Sequence, residues 1–215
     1  MRANEFLAEM YADETPDQKW DRLQIDKLID ALRTNCAPYF KETNRIMYRG
    51  INAARMPDLV SVASTSKERF PRDTPNILNQ FIVEWFEQNV GIPYRKEHTL
   101  FATGSRLEAD GYGAAFMVFP IGEFEYCWSP VHSDLTDALA SMSGNSLRMD
   151  EIKTSVYKVM NRGQYEFNFD LTSAIDSKNE IMIYCKQYYA INFHSLTVDY
   201  RTKIDFNLFK AELFR

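Results

Sequence analysis

The chain has 215 residues, of which 45% are hydrophobic and 26% are charged, and its formal net charge is −5. These values are ordinary for a globular protein, and the acidic balance argues against a broad nucleic-acid-binding face. The three cysteines and three histidines lack metal-ligand spacing, so no metal site is predicted. No segment reaches the roughly 20 apolar residues of a membrane span, and the first residues contain no apolar signal core. Because the low cysteine content also fits a reducing cytoplasm, we expect a soluble cytoplasmic protein, or one delivered into a cell, without a membrane partner.

The first part of the chain has helical periodicity. Apolar residues recur at intervals near 3.6 over Asp17–Arg33, and a shorter helix is predicted over Asn4–Tyr11. Residues 1–40 are therefore predicted to form an N-terminal helical segment. Residues 41–215 are predicted to form the main domain, and we expect both parts to belong to one compact unit.

Short strands and helices follow in the second part of the chain. Strands are predicted over residues 46–51, 58–63, 99–102, 115–119, 124–128, 165–169, 180–184 and 188–193. Helices are predicted over residues 75–89, 106–110, 133–142, 149–160 and 171–175, with a weak helix in the tail 203–215. The strands on either side of Pro120-Ile121-Gly122 are predicted to pair with each other. This order of elements predicts an α+β fold with a mostly antiparallel sheet.

An arginine followed by a glycine lies inside the predicted strand Ile46–Ile51. A half-buried guanidinium costs several kcal/mol unless an anion meets it, and its planar fork fits the two oxygens of a phosphate or carboxylate. Gly50 has no Cβ atom, so a ligand can approach the backbone closely. The pattern predicts a strand that carries an anion-binding site at Arg49. The alternative is a structural ion pair between Arg49 and an internal carboxylate.

Three further groups of residues stand at predicted strand ends. Ser64-Thr65-Ser66 follows the second predicted strand, although such a segment is also typical of a turn or a helix cap. Phe101 precedes a short helix that leads to Tyr112, and either ring could stack on a flat ligand. Glu180 opens a later strand, where a solvated charge is the common alternative.

Other charged residues compete with these or have a plainer explanation. Glu123 and Glu125 lie on a neighbouring predicted strand and are the main rivals of Glu180, followed by Asp73 and Asp134. A local basic patch that could contact nucleic acid stays open, although a solvated loop is the usual explanation of such a group, and its members are Arg69, Arg72, Arg95 and Lys96.

In their order along the chain, these segments resemble the motifs of the NAD-dependent ADP-ribosyltransferase superfamily. Tyr48-Arg49-Gly50, Ser64-Thr65-Ser66 and Glu180 match the three motifs of its arginine–serine–glutamate branch. The segment from Phe101-Ala102 to Tyr112-Gly113 is similar instead to the poly(ADP-ribose) polymerase branch. Because only one of the two middle segments can fill that role, both stay candidates to line the site.

The resemblance implies a fold, a reaction and a substrate. The fold would be a split, mostly antiparallel sheet, and the reaction would transfer ADP-ribose from NAD to a host protein or nucleic acid without a metal. The stretch Arg69–Leu135 is also similar to bacteriophage proteins, which implies a virus-encoded enzyme that acts in the host-cell cytoplasm. Lys178 stands where arginine-modifying members carry Glu or Gln, so the residue type of the acceptor stays open.

The resemblance also implies a role for each candidate residue. Glu180 would be the catalytic carboxylate beside the ribose. Arg49, the second catalytic residue, would bind the pyrophosphate or the ribose across the same slot. The Gly50 backbone would hold the nicotinamide amide, and Phe101 or Tyr112 would stack on the nicotinamide ring. Three residues would orient Arg49, Glu180 or the ribose, namely Ser64, Thr65 and Ser66.

Two other functions stay open on the sequence alone. An NAD glycohydrolase would release nicotinamide without labelling a macromolecule. A non-enzymatic virion or host-interaction protein on an α+β fold would bind no NAD, and the aromatic tail Phe206–Phe214 would suit its partner interface.

Overall fold

The computed structural model of the chain describes residues 16–56, 58–67, 74–140 and 148–194. Several predicted features lie outside these residues, namely the helices at Asn4–Tyr11 and 203–215, the aromatic tail Phe206–Phe214, and Arg69, Arg72 and Asp73.

Seven α-helices and eight strands are present in the described residues. The helices are α1 Pro16–Asn35, α2 Ala37–Glu42, α3 Asn76–Val90, α4 Arg106–Gly111, α5 Leu135–Leu139, α6 Met149–Arg162 and α7 Leu171–Ser177. The strands are β1 Met47–Ile51, β2 Val60–Ser64, β3 Thr99–Ala102, β4 Ala114–Pro120, β5 Glu125–Trp128, β6 Glu166–Phe167, β7 Ile181–Tyr184 and β8 Gln187–Asn192. A short 3-10 helix, Ala53–Arg55, follows β1.

The strands form two four-stranded sheets, in which all neighbouring strands are antiparallel. The first sheet has the order β1-β4-β8-β2, and the second has the order β3-β7-β5-β6. The prediction of an α+β fold with a mostly antiparallel sheet is therefore confirmed. The division of the chain at residue 40 stays a prediction.

The predicted pairing of β4 with β5 is wrong. β4 pairs with β1 and β8 in the first sheet, whereas β5 pairs with β6 and β7 in the second. The connecting segment is bonded to other parts of the chain, because the Ile121 N–H donates to Gln187 and the Gly122 N–H donates to Asn35. Gly122 has a φ of 71°, which glycine adopts readily. The chain thus passes from one sheet to the other here instead of reversing within a hairpin.

Two hydrophobic clusters pack against opposite faces of the second sheet. Successive side chains of β7 point to opposite faces, so Ile181 and Ile183 enter the first cluster and Met182 enters the second. The first cluster fills the space between the two sheets and includes Ile29 and Leu32 of α1. The second lies between the outer face of the second sheet and the helices α3, α5 and α6. Strand β7 therefore contributes side chains to both clusters.

Helix α2 is an addition to the predicted elements. Pro38 lies in its first turn, where the missing proline N–H breaks no intrahelical hydrogen bond. Tyr39 is completely buried in the first cluster, and its hydroxyl donates to the Arg45 carbonyl at 2.6 Å. Helix α2 therefore directs the chain into β1.

Candidate functional site

The strands β1 and β3 come together at one residue pair and then separate. Tyr48 and Thr103 exchange two backbone hydrogen bonds, of 2.8 and 2.9 Å, in an isolated antiparallel bridge. Because backbone groups alternate in direction along a strand, the N–H and C=O of Gly50 face the same side as those of Tyr48. Within the described ranges, no second bridge joins the two strands. The Gly50 backbone therefore faces a gap, which we call the β1–β3 split.

Arg49 lies beside this split and bonds the backbone of β3. Its Nη1 donates to the Phe101 carbonyl oxygen, 3.3 Å away, which a regular ladder would offer to the Gly50 N–H. Burial raises the pKa of Cys185 to about 12, and the nearby Arg49 charge lowers it in part. The guanidinium therefore faces the space between the two sheets. In the part of the chain that the structure describes, it makes no other hydrogen bond.

The last turn of α4 lies directly on Gly50. A Cβ atom at this position would be 2.2 Å from the Ala109 carbonyl oxygen and 2.7 Å from the Tyr112 Cβ. Only glycine therefore allows α4 to approach β1 so closely. The contact brings Tyr112, the residue after α4, beside the split, and this residue stays 60% exposed.

Glu180 immediately precedes β7 and forms an ion pair with Arg95. Their Oε1 and Nη1 atoms are 3.4 Å apart, and the two side chains are 19% and 6% exposed. The other edges of the guanidinium are also bonded, since Nε donates to Asn79 Oδ1 at 3.3 Å and Nη2 donates to Thr74 Oγ1 at 3.1 Å. Its central carbon lies 5.2 Å from the centre of the Phe101 ring, a cation–π contact. Arg95 therefore joins Glu180 to β3 and to the first turn of α3.

Ser133 and Asp134 connect the Glu180 backbone to the Tyr112 side chain. The Glu180 N–H donates to the Ser133 carbonyl at 2.8 Å, and the Tyr112 hydroxyl donates to Asp134 Oδ2 at 3.1 Å. The other Asp134 oxygen accepts the Thr136 N–H and caps α5. One short segment therefore fixes both Glu180 and the Tyr112 ring.

Nearby carboxylates give the surroundings of Tyr112 a negative electrostatic potential. The Asp134 carboxylate is the main reason why the pKa of Tyr112 is raised to about 12, and burial, the hydrogen bond and the charges of Glu180 and Asp137 add to it. Burial also raises the pKa of Tyr165, and the Glu180 charge raises it further. This end of the split would attract a positively charged ring.

Ser64-Thr65-Ser66 lies at the other end of β7 from Glu180. The Thr65 hydroxyl donates to the carbonyl of Cys185, the residue after β7, and the Thr65 N–H donates to the carbonyl of Lys186. Glu180 and Cys185 are separated by roughly 16 Å if the strand between them is extended. The structure thus joins this segment to the β7–β8 turn and brings Phe101 and Tyr112, not these hydroxyls, close to Glu180.

Arg49 and Glu180 approach β3 from different faces. Arg49 alternates with Tyr48 and shares its strand face with Met47 of the first cluster, whereas Glu180 shares its face with Met182 of the second. The ion pair that the structure shows for Glu180 is with Arg95. The expectation that Arg49 and Glu180 flank the same slot is therefore wrong, because Arg49 lies on the side of the split that faces the first cluster and Glu180 on the side of the second.

Sequence reasoning misses Arg95 altogether. The expectation that it belongs to a solvated loop is wrong, because its side chain is only 6% exposed. Lys96 does have the expected exposure and pairs with Glu87 at the surface. Arg95 has a φ of 73°, a conformation that non-glycine residues rarely adopt. No local pattern in the sequence separates the buried residue from its exposed neighbour.

The rival carboxylates have different positions. Asp134 belongs to the group around Tyr112, as described above. Glu125 is exposed on β5, opposite Tyr184 of β7. Glu123 lines a separate cavity of about 320 Å³, whose other lining residues are Pro38, Lys41, Glu42, Phe124, Tyr126 and Asn168.

Comparison with known proteins gives no assignment. No family model matches the chain, and neither a curated protein nor a solved structure matches it significantly. Over the described residues, no helix combines the length and the apolar character needed to cross a bilayer. The same residues contain no group of three or more His, Cys, Asp or Glu side chains arranged to hold a metal ion.

Proposed function

We propose that this protein cleaves the nicotinamide–ribose bond of NAD and transfers ADP-ribose to a host protein or nucleic acid. The support is one observation: the Gly50 backbone, Tyr112 and Glu180 stand around the same β1–β3 split. Their order along the chain and their residue types are those that the resemblance to the ADP-ribosyltransferases implies. The Phe101 to Tyr112 segment, rather than Ser64-Thr65-Ser66, is the middle motif of this site.

The chemistry of the split suits the nicotinamide end of NAD. In NAD this ring carries a positive charge, and the carboxylates of Glu180 and Asp134 beside the Tyr112 ring favour a cation stacked on an aromatic face. The ring also carries an amide, whose donor and acceptor groups match the N–H and C=O of Gly50. Recognition would therefore combine stacking, charge and two backbone hydrogen bonds.

Cleavage of the bond would depend on Glu180. The departing nicotinamide takes the bonding electron pair and becomes neutral, while positive charge develops on the ribose carbon, as in glycoside hydrolysis. A carboxylate fixed beside that carbon stabilises this charge by several kcal/mol. The acceptor then forms a bond to the ribose carbon and loses a proton.

Arg49 suits the anionic part of the substrate. Its guanidinium uses one N–H group on the Phe101 carbonyl, and the remaining N–H groups have no hydrogen-bond partner among the described residues. Arginine binds phosphate oxygens in pairs through such groups.

Incubation with isotope-labelled NAD and a cell lysate tests this function. We expect label on a macromolecule with the wild-type chain and none with Glu180→Gln. Glu125→Gln is the matched control, because Glu125 is an exposed carboxylate in the same sheet and should leave labelling unchanged. Protease and nuclease digestion then identify the acceptor class.

Three results would oppose the proposal. Calorimetry without NAD binding would favour an interaction protein. Nicotinamide release without labelled macromolecules would favour an NAD glycohydrolase on the same site. Full labelling by a folded Glu180→Gln variant would remove Glu180 from the mechanism.

A further inference from the structure

Arg95 is held in an unusual way for a charged residue outside a regular element. Its guanidinium is buried and is bonded on three edges, to Glu180, Asn79 and Thr74. The backbone has a φ of 73°, and its N–H donates to the Thr99 hydroxyl at 3.0 Å. Non-glycine residues keep such a conformation only where the surrounding structure holds them in it.

The contacts of Arg95 leave the guanidinium little freedom to turn. Asn79 lies in the first turn of α3, Thr74 precedes that helix and bonds Thr136 of α5, and the Phe101 ring covers one face. The remaining edge meets the Glu180 carboxylate. A charge pair with little solvent around it interacts more strongly than an exposed pair, because water screens it less. The position of one carboxylate oxygen is therefore fixed by three parts of the fold.

We propose that Arg95 is a positioning residue that keeps the Glu180 carboxylate ionised and directed at the β1–β3 split. Its importance for turnover rests on the proposed function, but its effect on the carboxylate does not. Arg95 itself touches no reacting atom, because its other bonds are to groups of the protein. Its loss would remove one charge-assisted hydrogen bond from the Glu180 carboxylate and make that carboxylate easier to protonate.

Carbon-13 NMR of labelled glutamate carboxyl groups tests the electrostatic part without NAD. The Glu180 signal is assigned by its absence in Glu180→Gln. In Arg95→Met we expect its titration midpoint to rise by about one pH unit or more, since the nearby positive charge is gone. The described titratable groups near Glu180 are Tyr112, Asp134, Tyr165 and Cys127. Asp134 is the only other carboxylate among these groups, so the titration is repeated with Asp134→Asn in both backgrounds.

Arg45→Gln is the matched control. Arg45 also donates to a carboxylate, that of Asp176, but this pair is exposed, and among the described residues neither side chain is hydrogen-bonded to a group around Glu180. The Glu180 midpoint should not change in this variant. An equal midpoint in wild type and in folded Arg95→Met would overturn the proposal.

Two conservative variants separate charge from geometry and remain informative if Arg95→Met does not fold. Arg95→Lys keeps the charge but lacks the planar guanidinium whose separate edges reach Glu180, Asn79 and Thr74. Thr74→Val keeps the arginine but removes one contact. We expect both to change the midpoint less than Arg95→Met does and to lower kcat for nicotinamide release about tenfold or more, with a smaller change in KM. Unchanged kcat in both would overturn the positioning role, whereas no release by the wild type would instead overturn the proposed function.

Discussion

The Cβ position of Gly50 lies 2.7 Å from the Cβ of Tyr112, so β1 and α4 touch without room for a side chain. Gly50→Ala is expected to lower the free energy of unfolding by about 1–3 kcal/mol, because the Ala109 backbone has to move. Denaturant titration measures the change. Gly111→Ala, in α4 itself, is the control. Among the described residues, no heavy atom outside its own helix and its two chain neighbours lies within 4 Å of its Cβ position, so its free energy of unfolding should change by less than about 0.5 kcal/mol. Equal free energies of unfolding for Gly50→Ala and the wild type would contradict the close contact between β1 and α4.

The hydroxyl of Tyr112 is expected to resist ionisation. Its pKa is raised to about 12, chiefly by Asp134. At about pH 11 an ordinary tyrosine, with a pKa near 10, is about nine-tenths ionised, whereas Tyr112 should stay mostly protonated. Asp134→Asn removes the main cause and should return the pKa toward its ordinary value. NMR of labelled tyrosine rings, assigned with Tyr112→Phe, measures both; the same midpoint in both proteins would mean that the contact with Asp134 is absent in solution.

The contact between Asp110 and His194 is expected to be sensitive to acid. The hydrogen bond from His194 is the main cause of the lowered pKa of Asp110. Because the folded-state pKa lies below the unfolded value of about 3.9, this carboxylate stabilises the fold above that pH. The contribution is lost as the pH falls through the folded-state pKa. Asp110→Asn should therefore narrow the difference between urea midpoints measured at about pH 6 and about pH 3.

A second variant checks the assignment of this acid effect. His194→Gln removes the imidazole that bonds Asp110 and should narrow the same difference in part. The interpretation fails if neither variant changes how the urea midpoint depends on pH.

Thr65 is expected to matter for stability and not for turnover. Its hydroxyl donates to the Cys185 carbonyl and ties β2 to the β7–β8 turn. Thr65→Val should lower the free energy of unfolding by about 1 kcal/mol, because that carbonyl loses a partner. Ser64→Ala, at an exposed position next to it, should change stability by less than about 0.5 kcal/mol. A large loss of nicotinamide release in folded Thr65→Val would return the Ser64-Thr65-Ser66 segment to the site.

Regular apolar patterns were sufficient to predict the elements with a single buried face. Leu78, Ile82 and Phe86 recur four residues apart in α3, and all three are buried in the second cluster. The predicted bounds of β3, Thr99–Ala102, agree with the structure. The pairing of β4 could not be predicted in this way, because Pro120-Ile121-Gly122 has the composition of a hairpin turn. The pairing of β5 with β6 and β7, which lie far along the chain, shows that the chain leaves the first sheet there.

The candidate site was also predictable only in part, because local sequence patterns indicate single residues but not their distant partners. Gly50, Tyr112 and Glu180 stand in short segments whose residue types resemble known motifs, so local sequence was sufficient to select them. The partner of Glu180 was not predictable, because Arg95 is 85 positions away from it and 16 positions away from Asn79. Burial of a charged side chain depends on such convergence of distant segments, which no local pattern records.

Ser133 and Asp134 are neighbours in the chain, with Cα atoms about 3.8 Å apart. The Glu180 N–H is bonded to the Ser133 carbonyl and the Tyr112 hydroxyl to the Asp134 side chain, so one peptide bond joins the two anchoring residues. A tilt of the Ser133–Asp134 peptide would therefore move the Glu180 backbone and the Tyr112 ring together, so the distance between them cannot be changed from one side alone.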